Sequence, residues 1–233
     1  MIPLRDSIPS RRFPIVNVML IIANFIAFFY ELSLGGELER FIFQYGIIPA
    51  RFVHDVLNLD SVSVRDVVVP FFTAIFLHGG WYHILSNMLY LWIFGDNVED
   101  RMGHFKYLIF YLFCGIMSSF AHILTNLSSP IPTIGASGAI SGVLGAYFII
   151  FPESRIMTLL PFGFFLHIAA IPAFLFLGFW FISQTLNGIA SLAVRTYMTT
   201  GGVAWWAHIG GFVTGFIIGI RFRRRYRPYY YGW

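Results

Sequence analysis

The sequence predicts an all-α, polytopic membrane protein, a bundle of six transmembrane helices making one domain over residues 1–233. Three observations predict it. Of the 233 residues, 58% are hydrophobic and only 11% are charged, against about 25% charged in an average soluble domain. So few charges cannot cover a soluble core of this size. Six apolar stretches recur along the chain, and Lys and Arg are distributed unevenly between the segments that join them.

The stretches cover about 14–33, 80–95, 105–124, 137–151, 164–187 and 204–220, where roughly 20 apolar residues suffice to cross a bilayer. The first follows a basic, Pro-containing leader. Its length, and the bulky Phe28, Phe29 and Tyr30 at its end, fit an uncleaved span better than a signal peptide. With six spans both termini share one side. That side then holds Arg5, Arg11, Arg12, Arg101, Lys106, Arg155, Arg221, Arg223, Arg224, Arg225 and Arg227, and the other only Arg40, Arg51, Arg65 and Arg195. The positive-inside rule therefore predicts cytoplasmic termini, carried as short basic tails. The basic C-terminal tail reads as a membrane-flanking anchor and not as a nucleic-acid site. The single cysteine, Cys114, excludes an internal disulfide or a cysteine metal cluster.

Two connections stand out. Residues 34–72 form a long acidic outer segment with apolar pieces, which predicts an interfacial substructure. Residues 126–136 hold Ser128, Ser129, Pro130, Pro132 and Gly135 and cannot form a regular helix. The fourth span, from Ser137 to Phe151, is about 21 Å long at 1.5 Å per residue, against a hydrocarbon thickness of about 30 Å. If Phe151 marks the cytoplasmic boundary, Ser137 lies roughly 9 Å below the outer one, and the irregular segment must descend to meet it. Such backbone is tolerated at depth only where protein covers it or a wet cavity adjoins it.

Other polar residues fall at the same depth. His208 precedes Arg221, and His83 precedes Asp96, each by about 20 Å of helix, and Asn87 lies one turn from His83 on the same face. Intramembrane ionisable groups are costly and mark functional sites, although one buried His or Ser can serve simply to join helices. Four such groups at related depths point to a site. Gly138 and Gly142 on the fourth span, with Gly211, Gly215 and Gly219 on the sixth, form small-residue stripes that allow those helices to approach. A serine needs a neighbouring base and donors for the oxyanion. Ser137 at a helix start, His208, His83 and Asn87 supply those types. No acid follows Glu153, so the pattern predicts a dyad and not a triad.

These residues carry a resemblance. The segments His83-Ile84-Leu85-Ser86-Asn87, Gly95…Glu99…Gly103, Gly135-Ala136-Ser137-Gly138 and Ala207-His208-Ile209-Gly210-Gly211 with Gly215 are similar, in order and spacing, to those of the rhomboid intramembrane serine proteases in their bacterial six-span form. The resemblance implies a rhomboid-like fold and hydrolysis of peptide bonds in or near transmembrane segments of single-span or polytopic membrane proteins. It implies Ser137 as nucleophile, His208 as general base, and His83 and Asn87 as oxyanion partners, with no metal or cofactor. Gly135, Gly138, Gly211, Gly215 and Ser141 would shape the site. Glu99 would tie the cytoplasmic end of the second span, the fifth span would be a mobile gate, and the outer segment would be membrane-embedded. The location implied is a bacterial cytoplasmic membrane.

Two departures bear on this. An aromatic residue that stacks on the base in some members is replaced by Ser141, so His208 would be held by a hydrogen bond from Ser141 or by other packing. The Trp-Arg pair of the outer loop is missing, and Val69-Pro70 stand near its place. A client-binding relative without activity would lack Ser or His, and both are present. A transporter would favour internal repeats and intramembrane acids, and a metalloprotease a signature such as His-Glu-x-x-His. None of these is read in the sequence.

Overall fold

Six of the helices in the computed structural model, which describes residues 1–58, 63–162, 165–193 and 202–223, fall on the six apolar stretches. They are α1 (Ile15–Ser33), α5 (Trp81–Met102), α6 (His104–Thr125), α7 (Ser137–Ile150), α8 (Ala173–Ala193) and α9 (Trp205–Ile220). Among the described residues, α1, α6 and α8 are long and apolar enough to cross a membrane. A fourth candidate is the pair formed by residues 64–76 and α5, bent by 81°. The α7 and α9 helices are apolar but shorter. Asp60, Arg195, Arg224, Arg225 and Arg227 lie outside the described residues.

The long helices are apolar outside and polar inside. In α1 the residues facing the bundle are Asn17, Leu20, Asn24, Phe28 and Glu31, whereas Met19, Ile22, Ile26 and Phe29 are exposed. A helix in water buries its apolar stripe. Here lipid takes that stripe, and the inward face carries three polar residues spaced by seven, of which Asn17 and Glu31 bond outside their own helix. Tyr107 of α6 donates to Asn17 Oδ1 at 2.8 Å, and Asn17 Nδ2 donates to the Leu91 carbonyl of α5 at 3.0 Å. Glu99, almost fully buried on α5, accepts from the backbone N–H groups of Val16 at 3.0 Å and Asn17 at 2.7 Å. Those first-turn groups have no acceptor within their own helix, so Glu99 caps α1 from a different helix. His104 bonds the same carboxylate. At the far end Glu31 accepts the His78 N–H with both oxygens, each at 3.1 Å. Glu31 is thus an intramembrane acid that the apolar count overlooked.

The α7 helix sits at the centre and is enclosed all round, with Gly138, Ala139, Ile140, Ser141, Gly142, Val143, Leu144, Gly145, Ala146 and Tyr147 all buried. The glycine stripe of α9 lies directly on it. A methyl group at Gly215 would overlap the Gly142 carbonyl, and one at Gly211 the Gly138 carbonyl. Backbone meets backbone here, where a Cβ would not fit, as small residues at membrane-helix interfaces allow.

The outer segment is helical: α2 (Leu38–Tyr45), α3 (Pro49–Leu57) and α4 (Val64–Thr73). Two hydrogen bonds join Ile47 and Thr133, at 3.1 and 2.7 Å, and Ala50 N–H donates to the Ser129 carbonyl at 3.0 Å. Gly135 N–H donates to the Ala74 carbonyl at 2.8 Å. The irregular segment entering α7 therefore has its backbone paired against the outer segment, and Phe52, Phe71 and Phe120 pack beneath.

The chain is mostly helical as expected, with one addition. A three-stranded antiparallel sheet, β1 (Ile2–Asp6), β2 (Arg155–Phe162) and β3 (Phe165–Pro172) in that order, lies at the ends of α5 and α7. It takes in the leader and the first part of the predicted fifth span, which begins at Ala173 and not at 164. An apolar run too short for a full span does not distinguish strand from helix. Pro172, the last residue of β3, sits at the change of conformation, immediately before the first helical residue.

Candidate active site

The site is assembled from the N-terminus of α7 and from α5, α8 and α9. Ser137 is the first residue of α7, preceded by Gly135 at φ +123°. A residue with a side chain rarely adopts that φ, and a Cβ there would stand 2.7 Å from His83 Nε2. Gly135 thus turns the chain into α7 while leaving room for His83. The N–H groups of the first turn of α7 have no acceptor within the helix and carry the positive end of its dipole.

Across the glycine contact, α9 brings His208 to Ser137. The Ser137 Oγ to His208 Nε2 distance is 2.8 Å between residues 71 positions apart. Both side chains are half-buried. The opposite ring nitrogen, Nδ1, lies 2.8 Å from Oε1 of Gln184 on α8. The indole of Trp180 lies 5.9 Å from the imidazole, centre to centre and tilted by 32°, and Trp205 approaches edge-on at 6.3 Å. Ser141 does not reach His208; its hydroxyl donates to the Ser137 carbonyl at 2.6 Å. The imidazole is therefore flanked by Gln184 and two indoles, a role left open between Ser141 and other packing.

On the other side of Gly135 stand His83 and Asn87 of α5. The His83 ring packs edge-on to His78, 5.0 Å between centres, and its Nδ1 accepts the Gly79 N–H at 3.3 Å. Nδ1 being an acceptor, the proton of the neutral ring resides on Nε2, the nitrogen facing Gly135. Asn87 Nδ2 is buried without a protein partner, and lies 3.8 Å from the place a Cβ of Gly135 would take. A buried donor left unpaired costs about 1–3 kcal/mol. A donor held at that cost beside a serine is suited to a charge that forms only during a reaction.

The residues singled out for the site thus gather at one place: Ser137, His208, His83 and Asn87 with Gly135, and Gly138, Gly211, Gly215 and Ser141 in the α7–α9 contact behind them. Gln184 and Trp180 were missed. Gln184 carried a signal, being a polar residue inside an apolar span, to which the depth argument used for His83 and His208 applies equally. Among the described residues, no group of three or more His, Cys, Asp or Glu side chains is arranged to hold a metal ion.

The chain is similar to known proteins. The chain is 27% identical over 229 residues to RHOMBOID-like protein 1 of Arabidopsis thaliana, covering 90% of this chain and 54% of that protein. It is 28% identical over 175 residues to the mitochondrial Rhomboid protein 1 of Saccharomyces cerevisiae, covering 72% of this chain and 46% of the relative. To the Rhomboid protease GluP of Bacillus subtilis it is 42% identical over 91 residues, covering 39% of this chain and 17% of the relative. The chain thus spans about half the length of the first two relatives and less of the third. The rhomboid domain family model matches residues 65–225, from α4 to the end of α9, and by that match over more than half its length the chain belongs to the rhomboid family.

Proposed function

We propose that this chain is an intramembrane serine endopeptidase that hydrolyses peptide bonds in or near the transmembrane segments of other membrane proteins, using Ser137 and His208 as a dyad. One observation carries the reading: a serine hydroxyl at a helix N-terminus, 2.8 Å from a histidine ring nitrogen, beside a buried donor without a protein partner.

The chemistry runs as follows. Ser137 Oγ attacks the carbonyl carbon of the scissile bond while its proton passes to His208 Nε2. The carbonyl electron pair moves to the oxygen, where Asn87 Nδ2, the His83 Nε2–H and the first-turn N–H groups of α7 offer donors. The carbon–nitrogen bond then breaks, and the imidazolium returns its proton to the departing amine. A water repeats the sequence on the Ser137 ester: its proton goes to His208, its oxygen adds to the carbon, and the ester bond breaks as Oγ recovers a proton. No cofactor or metal enters any step.

The proposal extends to topology: one membrane domain with six crossings, both basic termini in the cytoplasm, and a bacterial cytoplasmic membrane as its location. The eleven-to-four asymmetry of Lys and Arg supports the orientation. The lengths of α7 and α9, 14 and 16 residues, support a site recessed from the outer surface, since they span only about 21–24 Å of about 30 Å.

The test is to incubate the purified protein, in liposomes, with a single-span substrate, and compare it with Ser137→Ala. Cleavage by the first and none by the second is the expected result. Equal cleavage by both would overturn the protease reading and leave client binding as the better account.

A further inference from the structure

Gln184 lies on α8 and is buried, with only 7% of its surface exposed. Its amide touches two groups. Oε1 faces His208 Nδ1 at 2.8 Å, and Nε2 faces the Ser183 hydroxyl at 3.2 Å. That hydroxyl in turn donates to the Trp180 carbonyl at 2.6 Å. Having committed its one proton there, Ser183 Oγ can only accept from Gln184. The amide must therefore present its NH₂ to Ser183 and its oxygen to His208. An oxygen with no proton can only accept, so Nδ1 of the neutral imidazole carries the hydrogen and Nε2 is left with a lone pair.

On this basis we propose that Gln184 is a positioning residue for the dyad: by accepting the His208 Nδ1–H, it selects the tautomer whose Nε2 can take the proton of Ser137. The assignment rests on the protease reading above and adds a third side chain to it. The reverse amide orientation would donate to Nδ1, put the hydrogen on Nε2, and make Ser137 an acceptor, which is the wrong direction for a base. Ser183 is the lock that prevents the reversal. Trp180 and Trp205 limit the tilt of the ring, and Gln184 fixes which nitrogen is bare. Gln184 thus takes the orienting place that a carboxylate fills in a Ser-His-Asp triad, without placing a second charge in an apolar interior.

Two substitutions separate this role from packing. Gln184→Met conserves length and apolar volume but removes the acceptor. Gln184→Glu keeps an acceptor and introduces an acidic group into an apolar place. A residue needed only for packing tolerates Met better than Glu. A positioning residue gives the opposite order: Gln184→Met loses at least about 10–100-fold in kcat, the range for losing the partner that orients a metal-bound imidazole, with KM unchanged, while Gln184→Glu retains most of the rate. A fluorophosphonate, which phosphonylates an activated serine with loss of fluoride and without engaging a peptide-binding surface, should label Ser137 more slowly in the Met variant by the same factor.

Ser183→Ala provides an independent arm. It frees the amide to turn, so a smaller loss is expected, and the double variant Ser183→Ala/Gln184→Glu should recover because a carboxylate has no wrong face. Well-folded Gln184→Met with wild-type kcat and labelling rate would overturn the assignment. So would a Met variant faster than the Glu variant. If Gln184→Met does not fold, failure of the double variant to improve on Ser183→Ala overturns it. Absence in the wild type of any hydrolysis or labelling that Ser137→Ala abolishes would instead remove the protease reading itself, and this assignment with it.

Discussion

In the proposed mechanism one proton passes between Ser137 Oγ and His208 Nε2, so the two side chains would act as one device and fail as a whole. Ser137→Ala and His208→Ala should each abolish detectable cleavage, and the double variant should be no worse than either single one. Oxyanion donors contribute separately. Asn87→Ala should retain measurable activity, reduced about 10²–10³-fold in kcat if Asn87 is one strong donor, with His83→Ala similar or lower. Steady-state kinetics on protein with an unchanged thermal midpoint decides both, and near-wild-type Asn87→Ala would remove Asn87 from the oxyanion set. These four residues were legible in the sequence because a polar side chain inside an apolar span is costly and therefore conspicuous. Their common depth could be estimated from helix rise alone. What orients His208 was not legible. The Gln184–His208 contact depends on which faces α8 and α9 turn to each other, and one Gln in a long apolar run does not fix that.

At the scale of elements, the α7–α9 pair is held by backbone approach. Gly215→Val would place carbon where the Gly142 carbonyl lies, so the helices must separate. A loss of about 1–3 kcal/mol or more is expected from overpacking, read as a lower thermal midpoint in detergent together with lost activity. Gly36→Ala, where a Cβ meets nothing within 4 Å, should stay within about 0.5 kcal/mol of wild type. The glycine stripes announced this contact in the sequence, since small residues four apart have few other uses in a membrane helix. The sheet was not announced. The run Phe165–Pro172 has no period of two to betray a strand, and β1 pairs with a segment some 150 positions away.

The sheet also carries a titrating group. Asp6 at the end of β1 accepts from Tyr147 of α7 at 2.5 Å and from Asn97 of α5 at 2.8 Å. Burial pushes its carboxyl above the usual value, against the opposing effect of the Tyr147 hydrogen bond. With the folded value raised, the folded state binds more protons than the unfolded chain in that interval, so the contribution of Asp6 to stability falls as pH rises from about 4 through the raised value. Asp6→Asn is neutral and keeps an acceptor. Its thermal midpoint relative to wild type should therefore rise with pH across that interval, and a difference independent of pH would refute the assignment.

For the whole molecule, the arrangement of charge predicts a topology. Reporter fusions at Trp233 and near Asp60 should give opposite readouts, with the C-terminal one cytoplasmic. A non-cytoplasmic C-terminal fusion would sink the orientation and, with it, the recess of the site from the outer surface. The membrane class and the number of apolar stretches were readable because lipid imposes length and composition on each segment separately. The contents of the outer segment were only partly readable, since α2, α3 and α4 are short and owe their placement to backbone pairing with residues 126–136.

The cap that Glu99 places on α1 has a consequence for biosynthesis. Val16 and Glu99 are 83 positions apart, and at about 5–20 residues per second the ribosome needs about 4–17 s to cover that distance. Throughout that interval the newly made α1 has open first-turn N–H groups, while Glu31 waits for His78 and Asn17 for Leu91 and then, beyond Glu99, for Tyr107. The α1 helix, made before α5 and α6, is thus satisfied only after them, and it waits in the bilayer for partners still unsynthesised. Nascent chains arrested before Glu99 should therefore leave α1 open to extraction or proteolysis, whereas chains arrested beyond α6 should hold it fast.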